Sequence, residues 1–448
     1  MKDRVPTYPG RVKLVPVSGQ ANTYDMVRAD EPVVEGTLLN KATLLSDETA
    51  AARGLDLDSA TVNEAIAATG VVEVNISNAD LLRASLSAMG VGRSMLAAAT
   101  DGNGSILFGG GDGIELSAAV DKYTALGAHS TLADLSRARC RLAAATDGAG
   151  NVLFGGGFNY SNSVSYNEVD KYDKSGTRTT YPTLTNKSDS AGAATDGYGN
   201  VLFGGGAQSI SKDNSTVDKF NTSGTKTALP DLDTARSEPA AATDGAGNVI
   251  FAGGSYKNVV DRYTPSGGHT VLTALSFSTG FPKACQDGNG NVLVIAQEGV
   301  NRYDRYGTRT ILSSTLSVAR QYFAVTKDAM GNVLAGGGSS SSTRSAVVDR
   351  FDVTGTRTTV TSLSAARDNL AAATDGNGNA VFAGGYSPNT YHTTAEKLYY
   401  AKSISIPAYC RYKFEEHSSF QAISSTARTI TIKGPNHGYI LFGGQIVL

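Results

Sequence analysis

From about residue 93 to about residue 400 the chain alternates short apolar runs with glycine-rich turns, and the same order of runs returns seven times. Each cycle opens on a run of small apolar residues such as LAAAT. A DGxG turn follows, then a more strongly apolar run such as NVLFGGG, then a mixed run such as VDKY, then a polar turn and a threonine-rich run such as GTRTT. Runs of four to six residues bounded by Gly, Asp and Asn are strand signals, and DG is a tight-turn signal. Every cycle therefore predicts four antiparallel strands. The small residues of the first run suit a crowded innermost strand, and the glycines closing the second allow neighbouring backbone to approach.

The aspartates that open the turns are Asp101, Asp147, Asp196, Asp244, Asp287, Asp328 and Asp375, with spacings of 46, 49, 48, 43, 41 and 47 residues. Seven four-stranded units of this length predict an all-β, seven-bladed β-propeller over residues 93–400. An Arg stands eight residues before the Asp in five repeats (Arg93, Arg139, Arg236, Arg320, Arg367), with Ser188 and Thr279 in the others. The Gly-Gly doublet and the following Tyr or Phe resemble the kelch repeat. That resemblance implies the propeller fold and, as alternative tasks, a cytoplasmic scaffold. The kelch Trp is absent: Ser130, Thr179, Thr227, Thr270, Thr310 and Thr358 hold its position, and the chain has no Trp. Packing between blades is therefore expected to differ.

The seventh repeat lacks a fourth run. Residues 71–92, ahead of the first repeat, sit where that strand would come from, and they are predicted to close the ring; NADLLRASLSAMG within them also fits a capped helix. Residues 1–70 differ in composition. An extended arm, RVKLVPV, precedes two short helices predicted at about 37–53 and 58–69, too little apolar material for an independent core. The stretch YPGRVKLVPVSGQANTYDMVRADEPVVEGTLLNKATLLSD resembles the leading segment of tail and receptor-binding proteins of tailed phages and prophage tail particles of Gram-positive bacteria. The resemblance implies an attachment and oligomerisation module, a homo-trimer, tail or baseplate partners and a place in the virion. Residues 401–448 read as a β-rich tail whose last apolar run needs covering.

Composition narrows the function classes. Hydrophobic residues make up 40% and charged residues 18% of 448, with 51 Gly and a formal net charge of −2. Such a balance offers no basic surface for nucleic acid. No apolar run reaches the length of a membrane helix, and MKDRVPTYPGRVKL carries no apolar core of a secretory signal. Cys140, Cys285 and Cys410 are far apart and read as free buried thiols.

Candidate chemistry is sparse. DGNGN at 101–105 and 287–291 has calcium-loop oxygens at alternate positions, but Ala149, Tyr198, Ala246 and Met330 interrupt the pattern elsewhere, and a hairpin turn explains the Asp and Gly. The pairs Asp121/Lys122, Asp170/Lys171, Asp218/Lys219, Asp261/Arg262 and Asp349/Arg350 recur in nearly every blade, which points to a blade-to-blade ion pair or strand-face charge rather than catalysis. His129, His269, His392, His417 and His437 lack metal-ligand spacing. No nucleophile motif occurs, so no catalytic residue, metal or cofactor is assigned, and a glycan-cleaving propeller is the alternative.

The loops between second and third strands diverge while the strands repeat. They are rich in Tyr, Ser and Asn, the mixture of rigid anchors and adaptable hydrogen bonders found in antibody loops. The candidate ligand-binding residues are Asn159, Tyr160, Tyr166, Tyr256, Lys257, Tyr386, Tyr391 and His392. The expected function is a tail-fibre or receptor-binding protein that recognises a host cell-surface glycan or protein, with no membrane insertion.

Overall fold

A computed structural model describes residues 81–400, except 210 and 342, together with the backbone of strands Val12–Pro16, Tyr24–Arg28, Glu73–Ser85 and Ala395–Ser405. The chain divides into two units, 78–401 and a smaller one made of 1–77 with 402–448. In the smaller unit Val12–Pro16 pairs antiparallel with Tyr24–Arg28. The helices expected at 37–53 and 58–69 and most of the C-terminal tail lie outside the described residues.

The larger unit is a seven-bladed β-propeller. Blades 1 to 6 each contain four antiparallel strands laid side by side in chain order, and in blades 2, 3 and 6 a two-stranded hairpin stands between the second and third. Blade 1 comprises Ala97–Thr100, Ile106–Gly109, Val120–Tyr123 and His129–Thr131, numbered here from the axis outward. In blade 7, Ala371–Thr374, Ala380–Ala383 and Ala395–Ser405 are joined by Glu73–Ser85 as the outer strand. The segment ahead of the first repeat is thus a strand, not a helix. Leu81 is buried at 1% exposure against Leu363, Phe382 and Leu398, and Leu86 N–H donates to Ala395 O at 2.9 Å.

Blade-to-blade packing comes from the second and third strands. Within each of blades 1 to 4, Phe108, Phe154, Phe203 and Phe251 meet Tyr123, Tyr172, Phe220 and Tyr263 edge-on, at centroid distances of 5.8–5.9 Å, and the paired rings face the preceding blade, as Phe154 does against Gly109. Each such ring contributes about 1.5–3 kcal/mol through burial. The tyrosine hydroxyls are satisfied: Tyr172 donates to Ala133 O and Tyr263 to Pro230 O. The kelch Trp position, by contrast, is exposed on the outer strand at Thr179, Thr227 and Thr358.

In five of the seven blades the recurring Arg pairs with a buried third-strand acid of its own blade, not of a neighbouring one. Arg93–Asp121, Arg139–Asp170, Arg236–Asp261 and Arg320–Asp349 are 2.5–2.9 Å apart and fully buried; in blade 7 the acid is Glu396, 2.7 Å from Arg367. The guanidinium also satisfies strand-end carbonyls, as Arg93 Nε does with Gly110 O at 2.7 Å. In blade 5 both partners are neutral, Thr279 and Asn301. In blade 3 Ser188 and Asn214 together take over the carbonyl of Gly205, and Asp218 accepts from the Thr185 N–H and hydroxyl. His129 and His269 cap the same carboxylates, at 2.6 and 2.7 Å.

The DGxG turns are closed by their own aspartates, with Lys122 and Tyr400 reaching the second carboxylate oxygen of Asp101 and Asp328 from outside. Asp147 Oδ1 accepts from Ala149 N and Asn151 N, and Oδ2 accepts from Asn151 Nδ2, all at 2.8–2.9 Å. The turns also link blades: Gly102, Gly148, Gly197, Gly245, Gly288 and Gly376 each donate an N–H to a glycine carbonyl of the next blade. A Cβ on Gly376 would fall 2.7 Å from Gly104 Cα, so glycine here permits the approach of turns. The third-to-fourth-strand turns share this face, since Asn103 Nδ2 donates to Lys174 O and Asn377 Nδ2 to Ala125 O.

Along the axis, inner-strand residues alternate between buried and half-buried. The half-buried Thr100, Thr146, Thr195, Thr243 and Thr374 each donate a hydroxyl to the equivalent carbonyl of the preceding blade, and Gln286 Nε2 does so at 2.8 Å. Lys327 occupies the seventh place in this belt.

Candidate binding site at the axis end of the loop face

The loops between second and third strands fold onto the connections that enter each inner strand. Backbone bridges join Ser94 to Asp112, Cys140 to Phe158, Asp189 to Ala207, Lys257 to Thr279, Gln321 to Ser339 and Asp368 to Tyr386. Six residues before each turn Asp, a ring of seven residues surrounds the axis: Met95, Arg141, Ser190, Glu238, Phe281, Tyr322 and Asn369. Their backbones are linked. Met95 N–H donates to Asn369 O, Arg141 to Met95, Ser190 to Arg141, Glu238 to Ser190 and Asn369 to Tyr322, at 2.8–2.9 Å. Six of the seven have φ between 52° and 57°, the left-handed region that L residues disfavour; Phe281 is the exception.

Left-handed backbone at six of these positions turns the chain from the loop face into the inner strand. No two of the seven residues are alike, whereas the inner-strand run and DGxG turn that follow them repeat from blade to blade. Each stands six residues before the turn Asp, a position that sequence reasoning passed over. The signal was present: within an otherwise uniform repeat, this column is the most diverse one next to the AAAT run.

Two aromatic groups flank the ring. On one side Tyr256 meets Phe281 edge-on at 6.3 Å, and Phe281 meets Tyr322 at 4.5 Å. Tyr256 is 67% exposed and, with Ser255, adopts positive φ. Its ring lies over Gly280, where a Cβ would come within 3.1–3.3 Å of ring atoms. On the other side the Arg141 guanidinium lies 5.1 Å from the Tyr160 ring and 5.9 Å from Phe158, and the Tyr160 hydroxyl reaches Met95 Sδ at 3.3 Å.

Charged groups complete the site. Burial pushes the Glu238 carboxyl up to about 7; Lys283 and Arg141 oppose this, and Asp189 and Asp213 add to it. Burial pushes the Lys283 ammonium down, against the pull of Glu238. Among the described residues neither side chain forms a hydrogen bond or an ion pair within 4 Å. Burial, then the Glu238 charge, raises the Tyr322 hydroxyl above the ordinary phenol value.

All eight loop residues named from sequence lie on this face, but they differ in role. Tyr160 and Tyr256 are exposed beside the ring. Lys257 is exposed, with its backbone bonded to Gly254 and Thr279. Tyr166 is buried at 7% exposure; its hydroxyl accepts from Asn159 Nδ2 and its ring lies 4.7 Å under Arg137, so the pair braces its loop. Tyr386 and Tyr391 pack at 5.1 Å, and His392 Nε2 is 2.9 Å from Ser387 Oγ. Burial and the Arg367 charge hold the His392 imidazole below its ordinary value. Among the described residues no three His, Cys, Asp or Glu side chains converge on a common point.

No protein-family model and no curated protein matches the sequence. Solved structures match at fold level. A streptogramin B lyase is 13% identical, with TM-score 0.54, covering 72% of this chain and 98% of its own. The virginiamycin B lyase from Staphylococcus aureus is 14% identical, with TM-score 0.51 and coverages of 71% and 99%. A fungal alcohol oxidase of the AA5 family, solved with copper, is 13% identical, with TM-score 0.56 and coverages of 74% and 77%. These likenesses establish the propeller and nothing finer.

Proposed function

We propose that this protein is a recognition protein whose loop face binds a host cell-surface molecule, and that it serves as a tail-fibre or receptor-binding protein of a phage or phage-like particle. One observation carries the reading. At the axis end of the loop face seven equivalent positions hold seven different side chains, while the turns of the opposite face repeat with few changes. A purely structural ring has no need of Met95, Arg141, Ser190, Glu238, Phe281, Tyr322 and Asn369 in place of one repeated residue. Strained backbone holds six of them there, a feature associated with functional sites. The likeness of residues 8–47 to phage tail segments supports the particle context: an N-terminal attachment module, tail or baseplate partners, a trimeric assembly and avidity from several copies. Binding of the labelled full-length protein to a panel of Gram-positive cells, together with immunogold labelling of particle tails, tests the reading. Unlabelled tails combined with no cell binding contradict it.

A glycan-cleaving propeller is the second reading. It is favoured by Glu238, whose carboxyl is poised near neutrality close to Lys283 and Tyr322, a combination suited to proton transfer. Released fragments after incubation with purified surface polysaccharide, abolished by Glu238→Gln, select this reading over binding alone.

A further inference from the structure

We infer that Tyr256, Phe281 and Tyr322, with Glu238 at their inner edge, form a subsite for one neutral pyranose ring of a surface glycan; the inference rests on the recognition reading above. The three rings form a continuous row contributed by neighbouring blades 4, 5 and 6, with contacts of 6.3 and 4.5 Å. The row has a cost in backbone conformation. Ser255, Tyr256 and Tyr322 hold φ of 46°, 55° and 55°. Tyr256 nevertheless leaves 67% of its surface in solvent, lying over Gly280, the one glycine among the seven equivalent positions. An exposed tyrosine on strained backbone, seated on a residue small enough to admit its ring, is an arrangement without a packing purpose of its own.

Charge decides what the row receives. An anionic ligand would face Glu238, Asp189 and Asp213, and a cationic one would face Lys283 and Arg141. A purely apolar ligand would cover the Glu238 carboxyl and the phenol hydroxyls of Tyr256 and Tyr322, none of which has a hydrogen-bond partner among the described residues. Covering them unpaired is unfavourable. A neutral sugar meets every condition. One face of a pyranose is a sheet of C–H groups that lies on aromatic rings, while its edge hydroxyls donate to and accept from carboxyl, phenol and the nearby Asn369 amide.

Saturation-transfer difference NMR tests this on the full chain, with methyl glycosides of glucose, galactose, mannose, N-acetylglucosamine and N-acetylgalactosamine as probes. At least one glycoside is expected to show saturation concentrated on ring C–H protons. That signal should fall at least tenfold in Tyr256→Ala, Phe281→Leu and Glu238→Gln, and persist in Tyr198→Ala, which alters an exposed tyrosine of a DGxG turn on the opposite face. Tyr256 is mostly exposed, so its variant keeps the test valid if Phe281→Leu fails to fold. No signal from any glycoside, a signal surviving Tyr256→Ala, or a signal lost in Tyr198→Ala overturns the inference. Cell binding measured in parallel separates the two readings: cells bound without glycoside saturation removes this subsite and leaves recognition standing, and failure of both removes both.

Discussion

Arg320 and Asp349 are both fully buried and lie 2.8 Å apart, joining the connection that enters blade 6 to the third strand of the same blade. The guanidinium also bonds Gly337 O at 2.7 Å and Ala335 O at 3.0 Å, and the carboxylate accepts from Ser317 N–H. Blade 5 does the same work without charge, since Asn301 Oδ1 accepts from Ser276 N–H and Asn301 Nδ2 donates to the Ser276 hydroxyl.

This relationship predicts asymmetric mutational costs. Arg320→Thr removes the fully buried partner of Asp349, leaving its carboxylate only the part-exposed Arg357 at 3.2 Å, and should destabilise by about 3–5 kcal/mol. Adding Asp349→Asn reproduces the neutral arrangement of blade 5 and should recover a substantial part of that loss. Urea unfolding of the two variants and the double variant measures the coupling. Strictly additive costs would contradict the account.

Closure by the strand Glu73–Ser85 predicts that a residue outside the repeats controls propeller stability. Leu81→Ala removes a side chain that is 1% exposed and in contact with the blade 6–blade 7 core, and it should cost about 2–5 kcal/mol in thermal or urea unfolding. A change under half a kcal/mol would mean that the outer strand of blade 7 is dispensable.

The turn ring of the opposite face predicts sensitivity at glycines that look like ordinary loop residues. Gly376→Ala places a methyl 2.7 Å from Gly104 Cα and should cost about 1–3 kcal/mol by forcing the two turns apart. Asn103→Ala, on an exposed side chain of a neighbouring turn, should cost less than a third of that.

Glu238 predicts a pH signature. Its folded value, about 7, exceeds the ordinary 4.5, so its contribution is fully present below about pH 4.5 and is lost as pH rises through 7. Glu238→Gln should therefore raise the melting temperature relative to wild type at pH 8, and the difference should shrink to nothing by pH 4. A difference independent of pH, or of opposite sign, would show that Lys283 and Arg141 hold the carboxylate ionised throughout.

The ring of blades was legible because a repeat states its own period. DGxG, NVLFGGG and VDKY fix strand order, and the missing fourth run of repeat seven pointed outside the repeats for a strand. Partners that no local pattern encodes were not legible. The recurring Arg and the Asp of VDKY were noticed separately, but their pairing within one blade depends on how the entering connection crosses the third strand. The kelch Trp position gave a packing question that the fold resolves elsewhere, since Thr179 and Thr358 are exposed and the Phe154 and Tyr172 rings of one blade pack on the preceding blade at Gly109 and Ala133. At the candidate site, loop composition drew attention to Tyr160 and Tyr256. The axial ring went unread because Met95, Arg141, Ser190, Glu238, Phe281, Tyr322 and Asn369 share no chemistry, and their likeness is positional: the same left-handed turn beside the axis.

The central claim is that the diversified face is the binding face, and cell binding by paired variants tests it most directly. Labelled full-length protein carrying Arg141→Ala with Tyr256→Ala, on the loop face, is compared with protein carrying Tyr198→Ala with Tyr306→Ala, at exposed tyrosines of the opposite face. The account predicts at least a tenfold loss of binding to susceptible cells for the first protein and wild-type binding for the second. Undiminished binding by the first, or loss confined to the second, would contradict it.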